Sequence, residues 1–277
     1  MPRTPPTVLS IAGSDSGGGA GIQADLKAIA RCGVHGMTAI TALTAQNTVA
    51  VTDVHPVPGA FIVAQVRAVA DDLGVDAVKI GMLGTAETVE AVAEALDLLA
   101  PDTPVVIDPV MVAESGSVLL DDAARAALAA LLLPRATVIT PNLPEARVLV
   151  GDGDGGDVEG LARALRRLGP DAVVVTGGHR DTATDVFFDG DQVHLLAGER
   201  HPDGAAHGSG CTHSSVLAAQ LALGHTPLEA ARTAKALASE AVRGGLHGLG
   251  RGAGPVDVLG LTGSGAPGRF EPSSAGV

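Results

Sequence analysis

The sequence comprises 277 residues with a formal net charge of −13, because 31 acidic residues outnumber 18 Lys and Arg. This acidity argues against nucleic acid and anionic membranes as partners, apart from local sites. The absence of Trp and Tyr, with four Phe, disfavours recognition of nucleic-acid bases by stacking and predicts an aliphatic core.

The length and the periodic patterns predict one domain with short terminal extensions. A chain of this length can bury one large core, and alternating strand and helix patterns favour a single α/β domain. Residues 1–7 are predicted to be an N-terminal extension, and residues 8–261 the domain. Residues 262–277 are rich in Gly, Ser and Pro and are predicted to be a disordered tail.

Cysteine usage and the N-terminal sequence indicate the cellular compartment. Cys32 and Cys211 lie far apart and form neither a disulfide framework nor a metal-ligand pair, as expected in a reducing compartment. The first residues lack a signal-peptide pattern, and no apolar run reaches the roughly 18 residues of a membrane span. We therefore expect a cytoplasmic protein.

A glycine-rich segment follows the first predicted strand. Val8 to Ala12 form a strand pattern, residues 13–21 include five glycines, and a helix pattern extends from Ile22 to about Cys32. The glycine spacing is not that of a dinucleotide fingerprint, and no Gly-Lys-Ser/Thr ending indicates a Walker-type phosphate loop. The segment is predicted either to approach a small ligand closely with its backbone or to act as a hinge.

Strand and helix patterns then alternate to about residue 176. Strands are predicted at 37–43, 49–57, 77–80, 105–111, 137–140 and 172–176, and helices at 59–73, 86–99, 121–132, 143–150 and 157–168. The near-continuous apolar strands are typical of a parallel sheet covered on both faces. Ligands bind beyond the carboxyl ends of such strands, where Asp108, Asn142 and Thr176 lie. Each of these three could also simply cap the helix that follows it.

Three connecting features complete the predicted organisation. Residues 152–157 resemble a calcium loop, but Gly156 and Arg163 stand where ligands would be needed, so a solvated linker is predicted. Asp189-Gly190 separates two strand patterns and predicts a hairpin. Thr226 begins a capping box with proline at the first position of the last long helix.

The segment from His207 to Ser215 gives the strongest indication of chemistry. Gly208, Ser209 and Gly210 stand directly before a helix pattern. Unpaired amides and the positive end of the helix dipole would bind an anion there, and a phosphate would fit well. Cys211 at the same end would be favoured as a thiolate that could act as a base or nucleophile. A tight turn beside a buried cysteine is the alternative that these residues alone leave open.

Several short segments occur in a fixed order along most of the chain. They are Ala12-Gly-Ser-Asp15, Gly18-Gly-Ala-Gly-Ile-Gln-Ala-Asp25, Thr41-Ala-Leu-Thr-Ala-Gln-Asn47, Lys79-Ile-Gly-Met-Leu83, Asp108-Pro-Val-Met111, Thr140-Pro-Asn-Leu-Pro-Glu145, Gly177-Gly-His179 and His207-Gly-Ser-Gly-Cys-Thr212. Together they resemble the hydroxymethylpyrimidine/phosphomethylpyrimidine kinases of thiamin biosynthesis, a branch of the ribokinase-like family. The resemblance extends from Val8 to about Leu261. It implies a three-layer α/β fold with a mostly parallel central sheet and helices on both faces.

The resemblance also implies a reaction and a substrate pocket. The γ-phosphoryl group of ATP would pass to the hydroxymethyl group of an aminopyrimidine and then to the resulting monophosphate. The amide of Gln46 can pair with an aminopyrimidine edge, while Met82 and Val110 supply an apolar wall. Core packing for Met82 and a solvated helix position for Asp25 are the alternatives. The implied substrate-binding residues are Gly13, Ala20, Asp25, Gln46, Met82 and Val110.

For the phosphate side, the resemblance implies Mg²⁺ at Asp108 and Glu145. The residues implied to contact ATP are Asn142, Thr176, Gly208 and Gly210. Gly208, Ser209 and Gly210 would form an anion hole for the transferring group. Cys211 stands where most ribokinase-like kinases have an aspartate base, and would accept or orient the hydroxyl proton. Family members usually have lysine where this chain has Thr176, so Arg180 or another cation would have to replace that charge.

Two alternative functions remain open, and the resemblance also implies an assembly state. Pyridoxal-type kinases share the fold and also phosphorylate a ring that carries a hydroxymethyl group. A non-catalytic pyrimidine-binding protein is conceivable because Thr176 lacks the usual charge. The resemblance further implies a homodimer, with no nucleic-acid or membrane partner.

Overall fold

The computed structural model describes residues 4–114, 116–117, 119–151, 156–177 and 183–262. Within this part of the chain, nine strands form one sheet: β1 (Thr7–Asp15), β2 (His35–Gln46), β3 (Val51–Pro56), β4 (Ala77–Ile80), β5 (Val105–Ile107), β6 (Val138–Ile139), β7 (Ala172–Val175), β8 (Asp185–Phe188) and β9 (Val193–Leu196). Their order is β3-β2-β1-β4-β5-β6-β7-β8-β9. The strands from β2 to β7 in this order run parallel, whereas β3 and the β8–β9 hairpin add antiparallel edges.

Helices cover both faces of the sheet. In the described residues they are α1 (Gly21–Arg31), α2 (Gly59–Asp72), α3 (Ala86–Leu96), α4 (Asp122–Ala127), α5 (Leu143–Val150), α6 (Val158–Arg166), α7 (Ser209–Ala222) and α8 (Pro227–Arg243). Helices α1, α7 and α8 pack on one face, and α2 to α6 pack on the other. The sequence prediction of a mostly parallel sheet between two helical layers is confirmed.

Two aliphatic cores arise because successive residues of a strand point to opposite faces of the sheet. Val8 and Val174 pack beneath α1, α7 and α8, whereas their neighbours Leu9 and Val173 pack beneath the helices of the other layer. All four are fully buried. Strands buried on both faces need apolar residues at every position, which explains the continuous runs seen in the sequence.

Two elements differ from the predicted boundaries for local reasons. The strand predicted at 105–111 ends at Ile107, because Pro109 cannot donate to a neighbouring strand and Val110 turns back to bond the Asp108 carbonyl. The helix predicted at 121–132 changes form after Ala127, where a wider turn covers Leu128–Leu132. The early end of β5 leaves Asp108 and Val110 at the edge of the sheet where ligands bind.

Two predicted connections are confirmed, and two predicted domain boundaries lie one residue away from where they were expected. The hairpin at Asp189-Gly190 is confirmed, with the Asp189 side chain accepting bonds from the next amides, and so is the capping box at Thr226. Thr7 belongs to β1 rather than to an extension, and Thr262 bonds the Asp257 carboxylate rather than beginning a loose tail. Of the linker predicted at 152–157, residues 152–155 lie outside the described residues, whereas Asp157 caps α6. Residues 263–277 of the predicted tail also lie outside them. No helix in the described residues is long and apolar enough to cross a membrane.

Candidate active site

The N-terminus of α7 lies against the first glycine segment, at the carboxyl edge of the sheet. Gly208 precedes α7 with a positive φ of 83°, and a Cβ atom there would lie 1.9 Å from the Gly19 carbonyl oxygen. Only glycine fits this contact. The sulfur of Cys211 accepts a hydrogen bond from the amide of Gly21, the first residue of α1. Two helix N-termini therefore meet at one place, where their dipoles favour an anion.

The backbone amides at the start of α7 refine the predicted anion hole. Ser209 and Gly210 are the first two residues of the helix rather than a loop before it. The Ser209 amide donates to the Ala206 carbonyl at 3.0 Å, so it is not free for a ligand. Among the described residues, the amides of Gly210 and Cys211 have no such backbone partner. The amide of Gly208 likewise donates to no backbone carbonyl in this part of the chain, so Ser209 is the member of the predicted set that is already occupied.

The first glycine segment is folded around a single carboxylate. Asp15 accepts hydrogen bonds from the amides of Gly17, Gly19 and Ala20 at 2.8 to 3.0 Å. Lys27 closes the far side of the segment by donating to the Gly18 carbonyl at 2.7 Å. The glycines are needed because the backbone turns tightly around Asp15, and the segment is a built loop rather than a hinge.

Three of the predicted substrate-binding residues border this loop. A Cβ atom at Gly13 would lie 2.9 Å from the Met82 methyl carbon, so the Met82 thioether lies directly over the end of β1. The backbone of Gln46 exchanges two hydrogen bonds with Ser16 Oγ, which ties the end of β2 to the loop. The side chains of Met82 and Gln46 are both half-buried. Met82 therefore lines the edge of the site instead of only filling the core.

Asp25 is not positioned as the sequence suggested. Its side chain has no exposed surface, so it is neither a solvated helix acid nor a residue that reaches a ligand in this conformation. Ser10 donates to it at 2.6 Å, Ser215 at 2.8 Å, and Lys79 binds both oxygens at 3.0 Å. This cluster joins β1, α1, β4 and α7, and it supports the site from below.

Lys79 belongs to the Lys79-Ile-Gly-Met-Leu83 motif, but the sequence alone does not indicate its role. The ammonium group is fully buried, and burial opposes its charge. Electrostatic interactions with Asp25, Cys211 and Asp108, together with the hydrogen bond to Asp25, outweigh this effect and keep the pKa of Lys79 above its usual value. The sequence does show a lysine between apolar residues in a predicted buried strand, which indicates a buried charge. It does not indicate which acidic residue pairs with that lysine.

Asp108 and Glu145 form an acidic pair at the ends of β5 and β6. Burial raises the pKa of Asp108, which also accepts a hydrogen bond from Ser214 Oγ at 3.1 Å. Burial and the negative charge of Asp108 raise the pKa of Glu145 to about 7. Glu145 also completes a capping box with Asn142, as the alternative interpretation of Asn142 predicted. Two buried carboxylates with so little positive charge beside them fit a cation.

Cys211 is a neutral thiol in the ligand-free site. Burial raises the pKa of its thiol to about 12, Asp25 and Asp108 add to this effect, and Lys79 opposes it. The helix dipole does not outweigh these contributions, so the predicted thiolate is wrong for this state. The neutral thiol can still orient a group bound beside it, because its sulfur is a weak hydrogen-bond acceptor and its S–H a weak donor.

The far end of the site is formed around Thr176. Its amide donates to the Pro141 carbonyl at 2.9 Å, and Gly177 donates to Asp185 Oδ1 at 2.7 Å. Lys235 also binds Asp185 Oδ1, at 2.8 Å, and lines a cavity of about 430 Å³ between β9 and α8. The sequence analysis missed Asp185, whose hydrophobic neighbours in β8 made it look like an ordinary strand residue. Arg180, the other cation considered, lies outside the described residues.

Solved structures place this fold among the ribokinase-like kinases. Staphylococcus aureus pyridoxal kinase, in complex with AMP-PCP and pyridoxal, superposes with a TM-score of 0.83 at 34% identity, covering 97% of each chain. Phosphomethylpyrimidine kinase from Clostridium difficile superposes with a TM-score of 0.74 at 38% identity, covering 85% of this chain and 99% of that one. The class of protein is therefore a small-molecule kinase with the ribokinase-like fold.

Sequence comparison gives the family. The family model described as phosphomethylpyrimidine kinase matches residues 15–257. Hydroxymethylpyrimidine/phosphomethylpyrimidine kinase of Rhizobium meliloti is 49% identical over 254 residues, covering 90% of this chain and 95% of the relative. The same enzyme of Mycobacterium bovis is 45% identical over 262 residues, covering 92% and 94%. The chain belongs to the phosphomethylpyrimidine kinase family.

Proposed function

We propose that this protein is an ATP-dependent kinase of thiamine diphosphate biosynthesis. It phosphorylates the hydroxymethyl group of 4-amino-5-hydroxymethyl-2-methylpyrimidine and then the resulting monophosphate. The observation that carries this proposal is the contact between the N-terminus of α7 and the first glycine loop, with Cys211 between them. That contact brings a phosphate-binding helix end next to a pocket for a small ring, and family membership agrees with it.

The pyrimidine is proposed to bind between the glycine loop and the ends of β2 and β4. Gln46 carries a donor and an acceptor that match the edge of an aminopyrimidine. Met82 and Val110 are half-buried apolar side chains that can contact the ring faces. Gly13 and Ala20 allow the ring to approach the backbone closely, because neither carries a long side chain. Asp25 acts from below, by fixing the helices that bear these groups.

The transferring phosphoryl group is proposed to bind at the start of α7. The free amides of Gly210 and Cys211 would stabilise its charge, and Gly208 allows the backbone to approach. Cys211 as a neutral thiol would orient the acceptor hydroxyl by accepting its hydrogen bond on sulfur. The hydroxyl proton would pass late to an oxygen of the transferred phosphoryl group, which suffices for a loose, dissociative transfer. This arrangement requires no thiolate in the resting enzyme.

Mg²⁺ is proposed to be held by Asp108 and Glu145 together with phosphate oxygens and water. No group of three or more metal-binding side chains occurs among the described residues, so the phosphates must supply part of the coordination. This suits Mg²⁺, which usually takes one or two carboxylates beside substrate phosphates. When bound, the ion neutralises charge on the phosphates. Glu145 gives up its proton for this role, and Asp108 stays fixed by Ser214.

The nucleotide is proposed to extend from α7 past Asn142 and Thr176 toward the cavity beside Lys235. The cavity of about 430 Å³ is large enough for an adenine ring, and it adjoins the Gly177–Asp185 contact. Lys235 is linked to the neighbour of Thr176, Gly177, through Asp185, and it could replace part of the missing lysine charge. Thr176 itself can offer a hydroxyl to a phosphate.

A homodimer is proposed from the exposed edge of the sheet. Strand β3 is the edge strand. It carries exposed Val54 on one face, and β2 carries exposed Leu43 on the other, because Val54 pairs with Thr44. Phe61 of α2 is 60% exposed, which is unusual for a side chain of this size. A second copy would cover these side chains, and light scattering would report the assembly.

Phosphorylation of pyridoxal is the second candidate activity. The observation that favours it is the superposition on pyridoxal kinase over 97% of the chain. The identity of that match is 34%, whereas the pyrimidine kinases reach 49%. The pyrimidine is therefore proposed as the main substrate and pyridoxal as a weaker one.

One assay tests these assignments together. The protein is incubated with ATP, Mg²⁺ and either hydroxymethylpyrimidine or pyridoxal, and the product masses are recorded over time. Sequential appearance of a monophosphate and a diphosphate of the pyrimidine is the expected result. A higher kcat/KM for pyridoxal would reverse the substrate assignment. Tight pyrimidine binding without transfer would instead establish the non-catalytic binding protein.

A further inference from the structure

The two glycine segments touch through one histidine. The side chain of His207, the residue before Gly208, lies over Gly19 so closely that a Cβ atom there would meet the ring at 2.2 Å. His207 is 7% exposed, and its Nε2 lies 3.3 Å from Asp15 Oδ2. Because a carboxylate only accepts, the ring N–H is the donor.

Both partners of this contact are fixed independently. The His207 backbone pairs with the segment at Pro255, since its amide donates to the Gly254 carbonyl and its carbonyl accepts from Val256. Asp15 is the carboxylate around which the glycine loop folds. Burial opposes its charge, but hydrogen bonds from His207 and the loop amides keep the pKa of Asp15 below its usual value. An ionised acceptor therefore faces a donor on a rigid support.

We propose that His207 is a positioning residue, which docks the substrate-binding glycine loop onto the start of α7 and thereby sets the distance between acceptor hydroxyl and phosphoryl group. This inference rests on the proposed function. His207 supplies none of the groups that are proposed to bind either substrate. Those groups belong to the glycine loop, the strand ends and α7. Loss of the contact should therefore affect the alignment of two bound substrates more than the binding of either one.

The test compares His207→Leu, which removes the donor, with His207→Gln, which can keep a donor toward Asp15. For His207→Leu we expect kcat to fall on the order of 10²-fold, the typical effect of misplacing reacting groups by about 1 Å. KM for ATP and KM for the pyrimidine should each change by less than about threefold, because binding groups are retained. His207→Gln should recover part of kcat. His35→Gln is the matched control, since His35 is exposed at the amino end of β2.

Gly19→Ala gives a second perturbation that keeps the histidine. The added Cβ atom would lie 2.2 Å from the ring and displace it, so kcat should again fall with little change in either KM. Thermal unfolding of each variant separates this effect from misfolding. Two results would overturn the positioning role. One is a wild-type kcat in His207→Leu, and the other is a fall in kcat accompanied by increases in KM for both ATP and the pyrimidine. Failure of the wild-type protein to transfer phosphate is a different result, which rejects the proposed function and the inference together.

Discussion

Replacing Gly210 by alanine should raise the stability of the protein while lowering its activity. Gly210 is the second residue of α7, where alanine is a better helix former by roughly 0.5 to 1 kcal/mol. The new Cβ atom would have one neighbour within 4 Å, Asp108 Oδ2 at 3.7 Å, which is an ordinary contact. The fold therefore accepts the methyl group. The methyl group would, however, occupy space between the free amides and the carboxylate where a phosphoryl group is proposed to lie.

The two expected effects have opposite signs and different assays. Thermal unfolding should show an increase of about 1 to 4 °C, given that 1 kcal/mol corresponds to roughly 2 to 4 °C for a domain of this size. Steady-state phosphorylation of the pyrimidine should show a fall in kcat on the order of 10²-fold, the typical effect of displacing a reacting group by about 1 Å. Gly160→Ala in α6 is the matched control, because its Cβ atom would meet only the end of the Asp157 side chain.

The outcomes for Gly210→Ala distinguish a phosphate site at the start of α7 from a general effect on folding. A more stable and less active protein cannot be explained by misfolding, so it would support a phosphate site at the start of α7. Unchanged kcat would refute the reasoning, because the methyl group could not then lie near the reacting atoms. Gly208→Ala provides the contrast, since a φ of 83° and a contact of 1.9 Å with the Gly19 carbonyl should lower both stability and activity.

Four further substitutions test the buried charges and the phosphate side. Lys79→Met should destabilise the protein by about 3 to 5 kcal/mol in urea unfolding, because it leaves Asp25 buried without its partner; a loss below about 1 kcal/mol would contradict that. Because the pKa of Glu145 is raised to about 7, its contribution to stability declines as pH rises from 4.5 to about 7. Calorimetry should show Mg²⁺·ATP binding weakening below that pH, and Glu145→Gln should remove the pH dependence. Thr176→Lys should raise turnover with ATP, and no change would mean that the charge is dispensable. Cys211→Ala should lose activity in the transfer assay but retain pyrimidine binding, whereas full turnover would exclude a role for the thiol.

The sheet and its edge residues could be predicted because they depend on local patterns. Continuous apolar strands indicated burial on both faces, and this also placed Asp108 and Asn142 at the carboxyl edge. The end of β5 was missed because the apolar residues after Pro109 look like a longer strand. In that case the missing amide donor of proline, rather than hydropathy, determines where the strand stops.

The polar interior of the site could not be predicted, because it depends on pairs that are distant in sequence. Asp25 and Lys79 are separated by 54 residues, and only the sheet order brings them together. The thiolate prediction for Cys211 failed for the same reason. A helix dipole can be inferred from local sequence, whereas burial and the carboxylates of Asp25 and Asp108 belong to the tertiary structure.

The charges below the site explain why a cation should arrive with the phosphates. Lys79 binds Asp25 directly and acts on Asp108 through its charge alone, while Asp108 accepts a hydrogen bond from Ser214, and Glu145 keeps its proton until about pH 7. A bare triphosphate would add negative charge to this region with few described cations to meet it, since Lys235 is already paired with Asp185. The helix N-termini offset part of that charge but are partial dipoles. A divalent cation between the phosphates and the two carboxylates resolves the repulsion on both sides, and it also favours ionised Glu145.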